Sequence, residues 1–404
     1  MTENKKRNME NTKKIKSQKN KLLRDVKNVL QKKSRSKSKS RGVDTTFLVL
    51  VCVLLGLGLI MMLSASYAFA YYRFGDSFNF IKKQLAFAII GLVGMFFVSK
   101  IDYHIYKKFT YPLFGVSFVL LIGVLFSADI SGAKRWFHLG PLGTFQPSEL
   151  MKFAIILLFA FLISKNYRRM GTFTYGVFPF LAFLGAVSAL MLLQPHLSGT
   201  VLIGSIGLIM MFVGGTKYRY FLFAVILMVV AIIFIVGIKG IPYIETRLSG
   251  WIDPGADTRG GTFQTWQSLI AIGSGGPWGL GLGQSRQKFL YLPEPHNDFV
   301  FSIVCEELGF IGATVVILLF VLFCYRGLSI AGKAPDKFGA MMALGITAQI
   351  GVQAMLNIAV VTNTIPNTGI SLPFFSYGGT SLLMLLLQMG IVLNISRQAK
   401  MIKS

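Results

Sequence analysis

The chain has 404 residues, of which 53% are apolar and only 14% charged. A water-soluble domain carries roughly 25% charged residues to solvate its surface. The shortfall excludes a soluble enzyme and predicts an all-α, polytopic integral membrane protein. The net charge of +25 is unevenly spread, because residues 1–44 alone hold sixteen Lys/Arg against four acids.

In that basic tail Leu22, Leu23, Val26, Val29 and Leu30 recur at helical spacing, with Lys21, Arg24, Lys27 and Lys32 between them. The pattern predicts a short amphipathic helix on anionic lipids of the inner leaflet. Ser34–Arg41 alternates serine with basic residues and reads as a disordered linker. A tail tethered to a membrane is expected to contact lipid and set topology, with no nucleic acid bound. The apolar segment after it follows a long polar stretch without a cleavage motif and reads as a retained anchor.

About ten transmembrane helices are expected, near 46–66, 80–99, 109–127, 147–164, 174–193, 199–215, 219–238, 299–325, 338–361 and 376–395. They make a membrane domain over 45–398, followed by a short C-terminus at 399–404. Lys100, Lys107, Lys108, Lys165, Arg168, Arg169, Lys217, Arg219, Arg326, Lys333 and Lys337 fall in alternate connections, and Arg397, Lys400 and Lys403 close the chain. This bias places both termini in the cytoplasm. The opposite, exoplasmic face then owns a large loop at 239–298 between helices 7 and 8. It also owns 128–146, 362–375 and a tight turn at 194–198. Cys52, Cys305 and Cys324 each lie in an apolar run, so no disulfide framework is implied.

Ionisable residues near membrane spans are costly and informative. Glu149 and Lys152 open the fourth span just after Pro147, three residues apart and therefore on one face. They read either as an ion pair pinning the helix start or as the charged wall of an outward-facing groove. Glu306 and Glu307 lie about two turns inside the eighth span, which His296-Asn297-Asp298 precedes. Two such carboxylates must be protonated, paired or wet, serving either a proton path or a tie between helices. In the large loop Asp253 precedes Pro-Gly and reads as a turn residue, while Asp257 has no such explanation. The glycine-rich run Gly273–Gly283 lacks the Lys-Ser/Thr pair of a nucleotide loop. Arg286 and Lys288 beyond it are candidates to meet a lipid diphosphate. His104, His138, His196 and His296 show no zinc-ligand spacing.

Several of these blocks together resemble one family. Gly132-Ala133-Lys134-Arg135-Trp136, then Phe145 to Leu150, is similar to the third-to-fourth span region of the SEDS proteins (shape, elongation, division and sporulation), which include FtsW, RodA and SpoVE. Asp253 to Asp257, Gln267 to Gly276, Phe289 to Phe299, Glu306 to Gly309 and Gly369 to Gly379 match the family's large loop, eighth span and last loop in order. One departure stands out. Where the family commonly has Gln-Pro-Asp before a Gly-Thr pair, this chain has Gln194-Pro195-His196-Leu197-Ser198-Gly199-Thr200.

The resemblance implies a peptidoglycan glycosyltransferase that polymerises lipid II on the outer face of a bacterial cytoplasmic membrane. It implies a single-pass class B penicillin-binding protein as partner within the division or elongation machinery. The long basic tail leans towards the division or sporulation branch, and so towards the septum. Asp257 matches the family's essential loop aspartate and is the expected catalytic base. Glu149 and Lys152 are expected to line the groove with His296. Lys134, Arg247 and Arg286 are candidates for the departing undecaprenyl diphosphate. Mg²⁺ or Mn²⁺ between carboxylate and diphosphate suits oxygen ligands, but no metal-ligand set is readable. Two rival readings stay open at this point, a lipid II flippase and a non-catalytic scaffold for a transpeptidase.

Overall fold

The computed structural model describes residues 42–127, 135–138, 140, 144–194, 196–223, 225–226, 229–230, 250–255 and 262–399. Contacts divide the chain into Met1–Gly42 and Val43–Ser404, and the helices below all belong to the second unit. The amphipathic helix expected over Leu22–Leu30 lies outside the described residues, as does most of the seventh span expected at 219–238.

In a bilayer every backbone polar group must be satisfied internally, so apolar runs become helices. Those described are α1 (Thr45–Phe74), α2 (Asn79–Val98), α3 (Tyr106–Gly123), α4 (Pro147–Asn166), α5 (Phe178–Leu193), α6 (Leu197–Val213), α7 (Phe263–Gly275), α8 (Val300–Gly332), α9 (Lys337–Val361) and α10 (Gly379–Gln398). Eight helical segments among the described residues are long and apolar enough to cross a membrane, and α6 is a shorter apolar helix. Two short strands, Phe137–His138 and Thr144–Phe145, pair antiparallel before α4. The sequence reading missed α7, which lies inside the expected large loop.

Pro147 starts α4 at a position where its missing N–H costs nothing. Among the described residues α4 is the most enclosed span, buried along nearly its whole length. It packs against α3, α6 and α9, while α10 lies along α2 and α8 along α9 and α1.

The alternation expected from charge is built into the contacts. On one face Asp44 caps α1 through Phe47 N–H at 3.0 Å. Its carboxylate also accepts from Arg326 of α8 at 2.9 and 2.7 Å, and its own N–H donates to Ser396 of α10 at 3.1 Å. Asp336, the cap of α9, meets Tyr103 Oη at 2.7 Å and Lys107 at 3.2 Å on the same face. The other face collects Trp251 with Asn363, Gln264 with Pro293, and Arg135 with Gln194. These are the basic face and the loop face below.

Two loops of the loop face reach down into the bundle. The Phe374 carbonyl lies where a side chain at Gly58 of α1 would stand, and the Phe374 and Phe375 rings meet Phe323 and Phe320 of α8. The second insertion breaks α8. Gly309 has φ 67° and ψ −170°, outside the helical region, and the loop after α7 fills the gap. Leu280 and Gly281 N–H groups donate to the carbonyls of Glu306 and Glu307 at 2.9 and 3.0 Å, and Phe310 and Ile311 N–H donate to those of Gly276 and Pro277 at 2.9 and 3.2 Å. Gly309 and Gly279 (φ 82°) approach so closely that a Cβ on either would strike the other's backbone, so only glycine fits both.

Candidate functional site

Two buried carboxylate–lysine pairs stand on the loop side of the bundle. At the start of α4, Lys152 Nζ lies 2.8 Å from Glu149 Oε1, and Lys152 also donates to Gln353 Oε1 of α9 at 3.3 Å. Gln353 Nε2 in turn donates to the Ser371 carbonyl and Oγ at 3.0 and 3.1 Å. Ser381 of α10 donates to Glu149 Oε2 at 3.0 Å. One chain of polar contacts thus ties α10, α4, α9 and the loop before α10. It borders a void of about 30 Å³, lined among others by Glu149, Gln349, Gln353, Ser371, Tyr377 and Ser381. That is room for one or two waters. Gln349 Oε1 is buried there without a hydrogen-bond partner, a spare acceptor in the wall that Glu149 shares.

The second pair is closed. Lys288 Nζ lies 2.9 Å from Glu307 Oε1 and is also bonded to the Gly283 carbonyl and Ser64 Oγ. Ser64 of α1 reaches both Glu307 oxygens at 2.7 and 2.8 Å, and Ser285 N–H adds a third donor at 3.2 Å. Glu306 accepts from Ser285 Oγ, Arg286 N–H and Gln287 N–H. The adjacent carboxylates therefore tie α1 and the re-entering loop to α8, and neither faces an open path. Lys288 is consumed by that tie.

His296 is buried in a ring of Phe69, Phe80 and Tyr377 at centroid distances of 5.2, 4.4 and 5.9 Å. Its carbonyl accepts from Tyr377 N–H at 2.8 Å, while its Nδ1 has no partner. Burial lowers its pKa to about 4. His196, the residue at the departure, is buried at the start of α6. Burial first, then the charges of Arg135 and Lys152, lower its pKa to about 3. A neutral ring therefore stands near two cations at this position. Arg286 is exposed at the end of the inserted loop. Asp257, Lys134 and Arg247 lie outside the described residues. Gln353, Ser371 and Ser381 were missed in the sequence. No local pattern marks them, because they join Lys152 and Glu149 only through helix packing.

No group of three or more His, Cys, Asp or Glu able to hold a metal occurs among the described residues. Glu149 already faces an ammonium, so these residues do not fit Mg²⁺ or Mn²⁺.

Apolar helices enclosing a largely buried charge pair beneath long loops define a polytopic membrane protein with a candidate site at one face. The family model described as cell cycle protein, covering FtsW, RodA and SpoVE, matches residues 45–401. The chain belongs to that family. It is 42% identical over 339 residues to the stage V sporulation protein E of Bacillus subtilis (strain 168), covering 82% of this chain and 90% of the relative. It is 39% identical to a probable peptidoglycan glycosyltransferase FtsW of Geobacter sp. (strain M18), covering 81% and 89%. Among solved structures it is similar to a chain of a peptidoglycan synthase complex that coordinates polymerization and crosslinking, with TM-score 0.74, 28% identity and coverage of 88% and 98%. It is also similar to the rod shape determining protein RodA of Thermus thermophilus, with TM-score 0.65, 27% identity and coverage of 88% and 97%.

Proposed function

We propose that this chain is a peptidoglycan glycosyltransferase that polymerises lipid II into glycan strands at the outer face of a bacterial cytoplasmic membrane. The observation that carries the reading is the Glu149–Lys152 pair, buried yet bordering a polar void at the loop face. Relatives named as peptidoglycan glycosyltransferases support it.

A sugar hydroxyl of lipid II attacks the anomeric carbon of the growing strand. The bond from that carbon to the diphosphate oxygen breaks, and its electron pair leaves with the undecaprenyl diphosphate. The hydroxyl is a poor nucleophile at neutral pH and needs a positioned base. Asp257, by its match to the family's loop aspartate, takes that proton. Lys152, held between Glu149 and Gln353, meets the charge developing on the leaving group, as a preorganised cation should. Lys134, Arg247 and Arg286 serve the diphosphate outside it. Direct displacement inverts the anomeric centre. His296, enclosed by aromatic rings, shapes the groove wall rather than touching a charged substrate.

The partner in this reading is a class B penicillin-binding protein, in keeping with the likeness to a peptidoglycan synthase complex. The site of action is the septum, and the tail rests on anionic lipid. A flippase driven through Glu306 and Glu307 has no support, because both carboxylates are tied off by the loop and α1.

The test is polymerisation of labelled lipid II in detergent by the chain co-purified with its class B partner, beside Asp257→Asn. Polymer from the wild type alone is expected. Polymer from the variant removes Asp257 from the mechanism, and none from either overturns the proposal.

A further inference from the structure

We infer that the segment 276–288 is re-entrant, and that Trp278, Leu280 and Leu282 rest against the acyl chains of the leaflet on the loop face. The sequence places this stretch in an aqueous loop, but two helices act as rulers for its depth. Ser64, bonded to Lys288 Nζ at 3.1 Å, lies ten residues before α1 ends at Phe74, about 15 Å along the axis. Phe310 and Ile311, bonded to the carbonyls of Gly276 and Pro277, follow directly on the break at Gly309, and the unbroken turns from Val300 up to that break already reach about 12 Å in.

Helix ends can stand above the hydrocarbon, so that excess must be subtracted. α1 has 30 residues and is about 45 Å long, against a core of about 30 Å. Sharing the excess equally between its ends still leaves Ser64 about 7 Å inside the apolar layer. The segment bonded to it is at membrane depth.

Non-helical backbone at that depth survives only where its polar groups are satisfied. The break at Gly309 supplies the partners, because it frees the Glu306 and Glu307 carbonyls for Leu280 and Gly281, and the Phe310 and Ile311 N–H groups for Gly276 and Pro277. Backbone bonding faces α8, and apart from Gln284 and Arg286 what faces away is apolar. Trp278 is 79% exposed and Phe310 73%, with Leu280, Leu282 and Ile311 exposed beside them. A patch of this kind in water would be an aggregation hazard. At this depth acyl chains are the matching occupant, and the exposed Arg286 can extend its guanidinium to the headgroups.

The inference does not rest on the catalytic reading. Its test is tryptophan fluorescence of the full chain in phosphatidylglycerol/phosphatidylcholine vesicles, with bromine on the acyl chains. Quenching in the wild type should exceed that in Trp278→Phe, and the Trp278 contribution should be insensitive to aqueous iodide. Equal bromine quenching in both proteins, with iodide quenching lost in the variant, would place the indole in water and overturn the inference. Leu282→Cys gives an independent readout. A membrane-impermeant maleimide should label it about tenfold more slowly than Lys82→Cys, whose side chain is exposed at the start of α2. Equal labelling would overturn the inference, as would slow labelling without bromine quenching, the mark of a protein surface over the patch.

Discussion

Glu149–Lys152 and Glu307–Lys288 are built from the same two side chains at nearly the same separation, 2.8 and 2.9 Å. Their surroundings differ. Glu307 and Lys288 spend their remaining capacity on Ser64, Ser285 and the Gly283 carbonyl. Glu149 and Lys152 keep a void beside them and an unpartnered acceptor, Gln349 Oε1, in its wall. A saturated pair can only fasten helices together, whereas a pair with vacant neighbours can also receive a ligand. Burial and charge alone do not separate the two pairs; the count of unused partners does.

The sharpest way to break this contrast is to remove each ammonium in turn. Lys288→Met leaves Glu307 buried and charged, which should cost about 3–5 kcal/mol, read as a collapse of folded yield and melting temperature in detergent. Lys152→Met should cost only about 1–2 kcal/mol, because Ser381 and water in the void still serve Glu149. Its lipid II polymerisation should nevertheless fall about 100-fold. Equal instability in the two variants would erase the distinction.

His296, packed on Tyr377 in the wall of the void, tests the open side by pH. Its folded pKa of about 4 lies below the usual histidine value of 6.5, so below pH 6.5 the unfolded chain takes up a proton that the folded chain refuses. Stability should therefore be constant above that value and decline as the pH falls towards 4, by on the order of 2 kcal/mol. His296→Phe should flatten the decline in a series of melting temperatures.

The smallest effect comes from the serines. Ser64→Ala removes a half-buried donor that reaches both oxygens of the fully buried Glu307, and Ser381→Ala removes one beside the void at Glu149. Chemical or thermal melts should show Ser64→Ala the worse by about 1 kcal/mol.

Much of this was legible in the sequence. Apolar length located the described spans, Pro147 located the start of α4, and the three-residue spacing placed Glu149 beside Lys152. The alternation of Lys and Arg predicted which connections would gather on the basic face. What could not be read were relations between distant segments. Gln353 reaches Lys152 across 201 positions. Lys288, taken from its neighbourhood as a diphosphate contact, faces Glu307 because the chain turns back into the bundle at Gly279 and Gly309. Glycines announce such a turn without saying what it meets. α7 was hidden because the glycines around Gly273 resembled a loop.

The knot at Asp44 has a mechanical side. The residue where the basic tail joins the first membrane helix is bonded at once to α1, α8 and α10. A pull on the tail would therefore not peel one helix from its end. It would load the first and last helices of the membrane domain together, along with the broken helix whose far half carries the inserted loop. Whatever grips the chain just before Asp44 holds the whole bundle by a single handle.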